Sequence, residues 1–435
     1  MKVAIYTLGC KVNQYETQAM ETILTQRGHT LVSPDEQADA YIINTCTVTA
    51  VSDKKSRQAI RHLKRQNPDA VIAVCGCYAQ TRPEAIEALD VDLIAGTGDR
   101  VAFLDRLEEI FRTRQKEILV DNAMNRREYE MLPAGGLEGR TRAMLKVEDG
   151  CVNFCTYCII PYARGRVRSL PLEQAEAEAQ RLEGEGYREL VLTGIEISSW
   201  GQDLPGDVGF IDLVEGVCRA APGMRVRLGS LEPRTVTQEF CRRASELENL
   251  CPQFHLSLQS GCDATLKRMN RKYDTARYME SCELLRSWFD CPAITTDLIT
   301  GFPGETEEEF AETLEFIQKV NFSAMHIFPY SIRSGTRAAE MTPQIPRQVK
   351  EDRARRAIAI ASEMKEAYIQ RFLGQEMEVL FENVKDGLWS GHTRNYIHVL
   401  APGENLHNRS CLVRLEEVRD GTALGTVCPE RTRKS

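Results

Sequence analysis

The sequence predicts an α/β protein in three parts: an N-terminal doubly wound parallel sheet, a central partial TIM barrel of the (β/α)6 type, and a small C-terminal β-barrel. Three patterns support this fold class. Short, continuous apolar runs alternate with helical segments in the first part, which is typical of a parallel sheet covered on both faces. Six β-then-α units follow in the centre. The end of the chain holds only short β-like runs separated by Gly, Asn and Pro.

The composition sets the class of protein. A chain of 435 residues is expected to form two or three domains, and 42% hydrophobic residues indicate a globular protein. Fifteen cysteines without a signal-peptide pattern indicate a reducing compartment and metal-binding or catalytic thiols. No run approaches the roughly 20 apolar residues of a membrane span. We therefore expect a cytoplasmic protein with no membrane partner. The net charge of −8 is unusual for a nucleic-acid binder but allows a local basic patch.

The first part is predicted to span residues 1–126. Its apolar runs predict strands, and the segments between them have helical spacing and end at Gly or Asn-Pro. The predicted strands are 3–8, 40–44, 70–74 and 91–95, and the predicted helices are 16–27, 53–66, 82–89 and 101–112.

Three cysteines of this part each follow a predicted strand. Cys10, Cys46 and Cys77 come after the first, second and third strands. Because parallel strands end at one edge of the sheet, where ligands bind, the three thiols are expected to converge. Three thiols can hold three irons of a four-iron four-sulfur cluster and leave the fourth open. The alternative is three ordinary buried cysteines. Cys75 lies two residues before Cys77 and would point to the same side of a strand, and it is expected to be a neighbouring core thiol.

A linker is predicted over residues 127–140 from its Gly and Pro content, and the central part over residues 141–372. A partial TIM barrel carries its site at the carboxyl ends of its strands. The predicted strands are 144–147, 189–192, 225–228, 254–258, 293–299 and 324–328, and the predicted helices are 172–185, 236–247, 275–288 and 307–320.

A second group of three cysteines follows the first strand of this barrel. Cys151, Cys155 and Cys158 lie so close in sequence that all three thiols can reach one face of a four-iron four-sulfur cluster. A structural zinc site would need a fourth Cys or His at short range, and none follows before Leu170. The open iron can then bind a small molecule. The alternatives are a zinc knuckle that lacks one ligand, or three free cysteines.

The motif around these cysteines resembles the radical S-adenosylmethionine (SAM) signature, including Tyr157 before the last cysteine. Residues 149–151 (DGC) and 159–165 (IIPYARG) resemble, more narrowly, the methylthiotransferase family. The N-terminal domain of that family is similar to residues 9–16, 44–48 and 76–77. The resemblance implies two [4Fe-4S] clusters: a radical SAM cluster on the central cysteines and an auxiliary cluster on the N-terminal ones. It also implies SAM as cofactor, cleaved by an electron from an external donor, and leaves the sulfur donor open.

Polar residues near the ends of the later strands are candidates for binding SAM, because they resemble family motifs at the barrel mouth. Glu196 stands where many radical SAM enzymes have Gly-Gly-Glu, and the residues before it depart from that pattern. Each candidate is also a possible helix cap or turn residue. With Tyr157, the candidates are Glu196, Ser230, Glu232, Ser257, Gln259 and Asp297.

The tail, residues 373–435, is predicted to be all β, with strands at 377–381, 396–400 and 411–415. Through residues 391–396 (GHTRNY) it resembles the TRAM domain, which implies RNA binding. The alternative is a tail with only a structural role.

The resemblance implies a tRNA substrate. Residues 9–17 (GCKVNQYET) are similar to the branch that adds a methylthio group to C-2 of N6-threonylcarbamoyladenosine at position 37, beside the anticodon. Such a base lies in a single-stranded loop and can be splayed into a pocket. A cation is needed for the threonylcarbamoyl carboxylate, and we expect Arg333 to provide it. Other branches modify isopentenyladenosine in tRNA or an aspartate of a small-subunit ribosomal protein. The remaining alternatives are a radical SAM enzyme for a small molecule and a non-enzymatic iron–sulfur protein that binds RNA or senses redox state.

Overall fold

The computed structural model describes residues 1–135 and 141–429. Its N-terminal part is a six-stranded parallel sheet with the order β2-β1-β3-β4-β5-β6. The strands are β1 (Lys2–Thr7), β2 (Thr30–Val32), β3 (Ala40–Thr45), β4 (Val71–Gly76), β5 (Leu93–Ala95) and β6 (Glu117–Leu119). The helices are α1 (Lys11–Gln26), α2 (Ala50–Gln66), α3 (Cys77–Thr81), α4 (Pro83–Glu87) and α5 (Arg100–Thr113).

Helices cover both faces of this sheet, which confirms the doubly wound prediction. Met20 of α1 and Leu104 of α5 pack on one face. Ile60 of α2 and Ile86 of α4 pack on the other. The two edge strands, β2 and β6, were not predicted, because each has only three residues and none of them is buried. The strand order changes direction between β1 and β3, so a ligand crevice is expected at the carboxyl ends of these strands.

The central part confirms the six β/α units of a partial barrel. Its parallel strands form one sheet of order β11-β10-β7 and one of order β12-β13-β14-β15. Gly229 lies between β11 and β12, which are two halves of one predicted unit. The strands are β7 (Arg142–Lys146), β8 (Glu148–Asp149), β9 (Arg168–Ser169), β10 (Glu189–Thr193), β11 (Arg225–Leu228), β12 (Ser230–Leu231), β13 (Gln253–Leu256), β14 (Ala293–Thr300) and β15 (Ala324–Pro329).

The helices of the central part pack on the outside of the curved sheet. Leu190 and Leu192 of β10 belong to the main apolar core. Since side chains alternate along a strand, Glu189 and Val191 face the barrel interior. Glu189 places a carboxylate there. The helices are α6 (Ile160–Arg164), α7 (Leu172–Gly184), α8 (Phe210–Ala220), α9 (Gln238–Ser245), α10 (Asp263–Arg268), α11 (Thr275–Trp288), α12 (Glu307–Val320), α13 (Arg337–Glu340) and α14 (Arg347–Gln370).

The tail forms a closed five-stranded barrel of order β16-β17-β18-β20-β19, as predicted. Tyr368, Ile369 and Phe372, at and after the end of α14, pack into its core. The strands are β16 (Glu376–Lys385), β17 (Leu388–Thr393), β18 (His398–Ala401), β19 (Ser410–Arg419) and β20 (Thr422–Val427).

The boundaries predicted at residues 126, 140 and 372 stay predictions, and part of the predicted linker, residues 136–140, lies outside the described residues. Among the residues that the structure describes, no helix is both long and apolar enough to cross a membrane.

Candidate active site

The N-terminal thiols meet at the carboxyl edge of the first sheet. Cys10 precedes α1, Cys46 follows β3 and Cys77 begins α3. Burial raises the pKa of each thiol, and the group interacts internally: Cys46 raises the pKa of Cys10, Cys77 that of Cys46, and Cys10 that of Cys77. The prediction that strand topology brings these three residues together therefore has direct geometric support.

The residue before Cys10 must be glycine, because Cys46 lies close to the backbone there. Gly9 has φ of +113°, and a Cβ there would lie 2.8 Å from Cys46 Cβ. Only glycine adopts this backbone without strain and leaves room for the neighbouring thiol. Cys75, in contrast, belongs to the apolar cluster beneath the sheet, and burial raises its pKa to about 11. Its surroundings are those of the core thiol that we expected.

The central thiols lie on the loop between β8 and α6. Gly150 precedes Cys151 with φ of +96°, and a Cβ there would lie 1.9 Å from the Arg166 carbonyl oxygen. Burial, reinforced by Cys155, raises the pKa of Cys151 well above its ordinary value and that of Cys158 to about 12. The structure therefore brings these three thiols together.

The two groups of thiols are neighbours. Cys77 of the N-terminal group raises the pKa of Cys158 of the central group. The carboxyl edge of the first sheet therefore faces the mouth of the partial barrel.

The thiol groups suit clusters better than single ions. Among the described residues, no three His, Cys, Asp or Glu side chains are placed to hold one metal ion. A four-iron four-sulfur cluster is larger than one ion, so its thiolates stand further apart. Metal binding needs deprotonated thiols, and bound iron offsets the burial that raises their pKa. Each set of donors therefore fits a cluster.

Glu196 lies beside the central thiols, and Glu232 lies beside Glu196. Glu196 interacts with Cys151, and burial, reinforced by Glu232, raises the pKa of Glu196. Its carboxylate accepts hydrogen bonds from the Ser198 amide at 3.1 Å and the Ser199 hydroxyl at 2.6 Å. The Glu232 amide donates to Ser198 Oγ at 2.9 Å. Both carboxylates thus lie at the barrel mouth while also capping short turns.

Tyr157 and Ser230 occupy different environments. The Tyr157 ring packs edge-on against Phe302, with centroids 6.4 Å apart. It also interacts with Cys155 and Cys158, so it lies against the central thiols. Ser230 begins β12 and is exposed.

Ser257, Gln259 and Asp297 lie on two neighbouring strands or just past them. The Gln259 amide donates to the Asp297 carbonyl oxygen at 2.9 Å, and Gln259 has φ of +71°. Asp297 Oδ2 lies 3.5 Å from His255 Nε2. Ser257 follows β13, and its carbonyl oxygen accepts a hydrogen bond from the Tyr273 hydroxyl. These candidates therefore share one side of the mouth.

Arg271 was not among the site residues predicted from the sequence. Its Nη1 donates to Cys155 Sγ at 3.2 Å, and its Nε donates to the Tyr273 hydroxyl at 2.9 Å. The guanidinium also lies over the Tyr273 ring, 4.8 Å from its centroid. Arg271 stands in a polar loop with no periodic pattern, so only the fold reveals this contact.

A buried ion network joins the first sheet to the barrel behind the thiols. Glu16 accepts from Arg100 Nη2 at 2.8 Å and from Arg164, and Lys146 Nζ lies 3.7 Å away. Arg164 also interacts with Cys77 and, at 3.4 Å, with Asp149. Burial disfavours the Glu16 carboxylate, but the three cations outweigh it and hold its pKa at about 2.

Removing the charge of Glu16 is expected to destabilise the protein. Glu16→Gln leaves three buried cations short of a counter-charge, so we expect a loss of about 3–5 kcal/mol in the free energy of unfolding. Urea unfolding followed by circular dichroism measures it. Glu109→Gln breaks an exposed ion pair with Arg106 and should cost less than about 0.5 kcal/mol. Equal midpoints for the two variants would contradict this account of the network.

Arg333 lies where the first sheet meets the barrel. Its guanidinium pairs with Asp53 and donates to the Thr47 hydroxyl. The Arg333 side chain is only 5% exposed, and its charge is neutralised by this buried ion pair with Asp53. The expected binding of a substrate carboxylate by Arg333 stays a prediction, and the observed pairing argues for a positioning role instead.

Comparisons with known proteins match most of the chain. Residues 2–96 match the model described as "Uncharacterized protein family UPF0004", and residues 145–317 match the Radical SAM superfamily. The Bacillus subtilis protein named threonylcarbamoyladenosine tRNA methylthiotransferase MtaB is 41% identical, over 92% of this chain and 90% of that protein. A protein of the same name from Aquifex aeolicus is 36% identical, over 93% and 97%.

The chain is also similar to a relative that is named for another nucleoside and to a solved structure with the same fold. A tRNA-2-methylthio-N(6)-dimethylallyladenosine synthase from Symbiobacterium thermophilum is 35% identical, over 97% of this chain and 93% of that protein. Among solved structures, the radical SAM methyltransferase TsrM from Kitasatospora setae, with cobalamin and a [4Fe-4S] cluster bound, has a TM-score of 0.56 at 13% identity, covering 78% of this chain and 77% of that one. This likeness concerns the fold alone.

Proposed function

Because this chain belongs to the family of radical SAM tRNA methylthiotransferases, we propose that it adds a methylthio group to C-2 of N6-threonylcarbamoyladenosine, beside the anticodon of tRNA. The observation that carries the choice of nucleoside is the 41% identity, over 92% of the chain, to a protein named for that substrate. The synthase named for dimethylallyladenosine is 35% identical. The identities therefore favour threonylcarbamoyladenosine.

We propose that each group of thiols holds one [4Fe-4S] cluster. Cys151, Cys155 and Cys158 hold the radical SAM cluster, and Cys10, Cys46 and Cys77 hold the auxiliary cluster. When bound, the first supplies the electron that cleaves SAM and the second holds the sulfur to be attached. The interaction between Cys77 and Cys158 supports this division of labour, since it places the two groups of thiols near each other.

The overall exchange replaces the C-2 hydrogen of the base by sulfur and a methyl group. One SAM would be cleaved to methionine and a 5′-deoxyadenosyl group that takes up the hydrogen atom as 5′-deoxyadenosine, and another would donate its methyl group to sulfur and leave as S-adenosylhomocysteine. An external electron donor and a sulfur donor complete the balance. An aromatic C–H bond offers no handle for acid or base chemistry, so a radical route suits it.

The protein's own residues would position these reactants. Glu196 lies next to Cys151 and Glu232 lies next to Glu196, so that both provide carboxylates for the ammonium of SAM. Tyr157 shields the cluster side of the loop. Ser257, Gln259 and Asp297 line the opposite side of the mouth, with Ser230 exposed nearby. The tail barrel would bind the RNA, consistent with its resemblance to the TRAM domain.

The test in cells is mass spectrometry of the nucleosides of tRNA. A strain that lacks the gene should lose 2-methylthio-N6-threonylcarbamoyladenosine and accumulate its unmethylthiolated precursor. The wild-type gene should restore the product. If the nucleoside persists in the deletion strain and another methylthio nucleoside, such as the dimethylallyl one, disappears, the proposed substrate is wrong.

A further inference from the structure

A cavity of about 380 Å³ lies where all three parts of the chain meet. Lys11 of α1 reaches into it from the first part, Arg142 and Arg227 from the barrel interior, and Glu382 and Tyr396 from the tail. Ligand pockets commonly have volumes of about 300–1,000 Å³, so a nucleoside substituent fits this space. None of the candidate site residues from the sequence lines it.

The cavity carries an excess of positive charge. Glu382 pairs with Arg142 at 2.8 Å, and Glu189 is shared by Arg225 at 2.7 Å and Arg227 at 2.9 Å. Lys11 makes no hydrogen bond or ion pair with any residue that the structure describes. Two carboxylates thus pair with three arginines, and Lys11, whose side chain is exposed, is a fourth cation without such a partner. Such a site attracts an anion.

The arginines of the cavity are held in place by Tyr396. The Arg227 guanidinium lies 4.6 Å from the Tyr396 ring centroid, and Arg142 Nη1 donates to the Tyr396 hydroxyl at 3.1 Å. His392 stacks on the same ring, with centroids 4.6 Å apart. A rigid arrangement of this kind suits one ligand group of fixed shape.

We propose that this cavity binds the N6-threonylcarbamoyl group of the substrate, with Lys11 paired to its carboxylate. The rest of the lining matches that group: Met144 and Val191 offer apolar contact for its methyl, and Gln14 and Asn383 offer amides for its hydroxyl and urea. Lys11 directly follows Cys10, so the cavity adjoins the thiols proposed to hold the attached sulfur. The inference rests on the proposed function and names the determinant of its substrate choice.

A dimethylallyl group has no charge to pair with Lys11, so the cavity discriminates against it. A backbone phosphate of RNA is the other anion that these cations could hold. A backbone phosphate occurs in every stem–loop, whereas the threonylcarbamoyl carboxylate occurs only in the modified one. Binding of modified and unmodified stem–loops therefore distinguishes the two anions.

The test measures binding of three anticodon stem–loops by fluorescence anisotropy. They carry threonylcarbamoyladenosine, unmodified adenosine or isopentenyladenosine. Wild type should bind the first at least about 10-fold more tightly than the others, and Lys11→Met should remove that preference. Lys11→Arg should keep most of this preference, because the charge remains.

The matched control is Lys319→Met. Lys319 is an exposed residue of α12, and its replacement should leave the binding of all three stem–loops unchanged. Iron content shows whether the neighbouring cluster is still loaded, and only loaded proteins are compared.

Two results would overturn the inference. Equal weakening of all three stem–loops by Lys11→Met would mean that the cavity holds a backbone phosphate. An undiminished preference would mean that it holds neither anion. Failure of the proposed function looks different, because wild type would then leave the threonylcarbamoyladenosine stem–loop without a methylthio group in the presence of SAM and reductant.

Discussion

Replacing Cys151 by alanine is expected to abolish both SAM cleavage and methylthiolation, with residual rates below about one thousandth of wild type. Two thiols cannot replace the three that we propose to hold the radical SAM cluster. Iron content should fall from about eight to about four atoms per chain. Liquid chromatography of 5′-deoxyadenosine and an iron assay measure the two effects.

The control for Cys151→Ala is Cys291→Ala. Cys291 is exposed and lies far from both thiol groups in sequence, on the turn between α11 and β14. This variant should keep its iron and its activity. Full SAM cleavage by Cys151→Ala would exclude the proposed ligand set.

Replacing Cys46 by alanine is expected to separate the two halves of the reaction. SAM should still be cleaved to 5′-deoxyadenosine, because the central thiols are intact. The methylthio product should fall below about one hundredth of wild type, because the proposed holder of sulfur is lost. Iron content should again fall by about half. Nucleoside mass spectrometry and the chromatographic assay are applied to the same reaction mixture.

Cys75→Ala is the matched control for Cys46→Ala, since both thiols belong to the first sheet. Cys75 packs in the apolar core. Its replacement should leave iron content and product formation intact and cost about 1 kcal/mol of stability. If Cys75→Ala loses iron and Cys46→Ala does not, the assignment of the auxiliary ligands is wrong.

The fold followed from patterns that act locally. Long apolar strands such as β3 and β4 could be identified because all six residues of each are buried. Strand β2 could not, because it has only three residues and none of them is buried, and β17 could not, because its buried and partly buried residues do not alternate. The meeting of Cys10, Cys46 and Cys77 was predictable because the topology of a parallel sheet alone places its strand ends together.

Long-range pairing was beyond the reach of the sequence. Glu16 looked like an ordinary residue of the first helix, yet it pairs with Arg100 and Arg164, which lie far along the chain. Arg333 is another case. We expect this cation near the barrel mouth to bind the substrate carboxylate, which stays a prediction, but the sequence did not indicate that it pairs with Asp53 of the first part. The periodicity of a sequence predicts which face of a helix or strand is buried, but it does not predict which charged residues will form ion pairs.

The most direct test of the central claim is a reaction of the purified, iron-loaded chain with an anticodon stem–loop that carries threonylcarbamoyladenosine. SAM, a chemical reductant and a sulfide source are added, and the digested RNA is analysed by mass spectrometry. We expect the 2-methylthio nucleoside together with 5′-deoxyadenosine, and no methylthiolation of an isopentenyladenosine stem–loop. SAM cleavage without a methylthio product, or a product only on isopentenyladenosine, would contradict it.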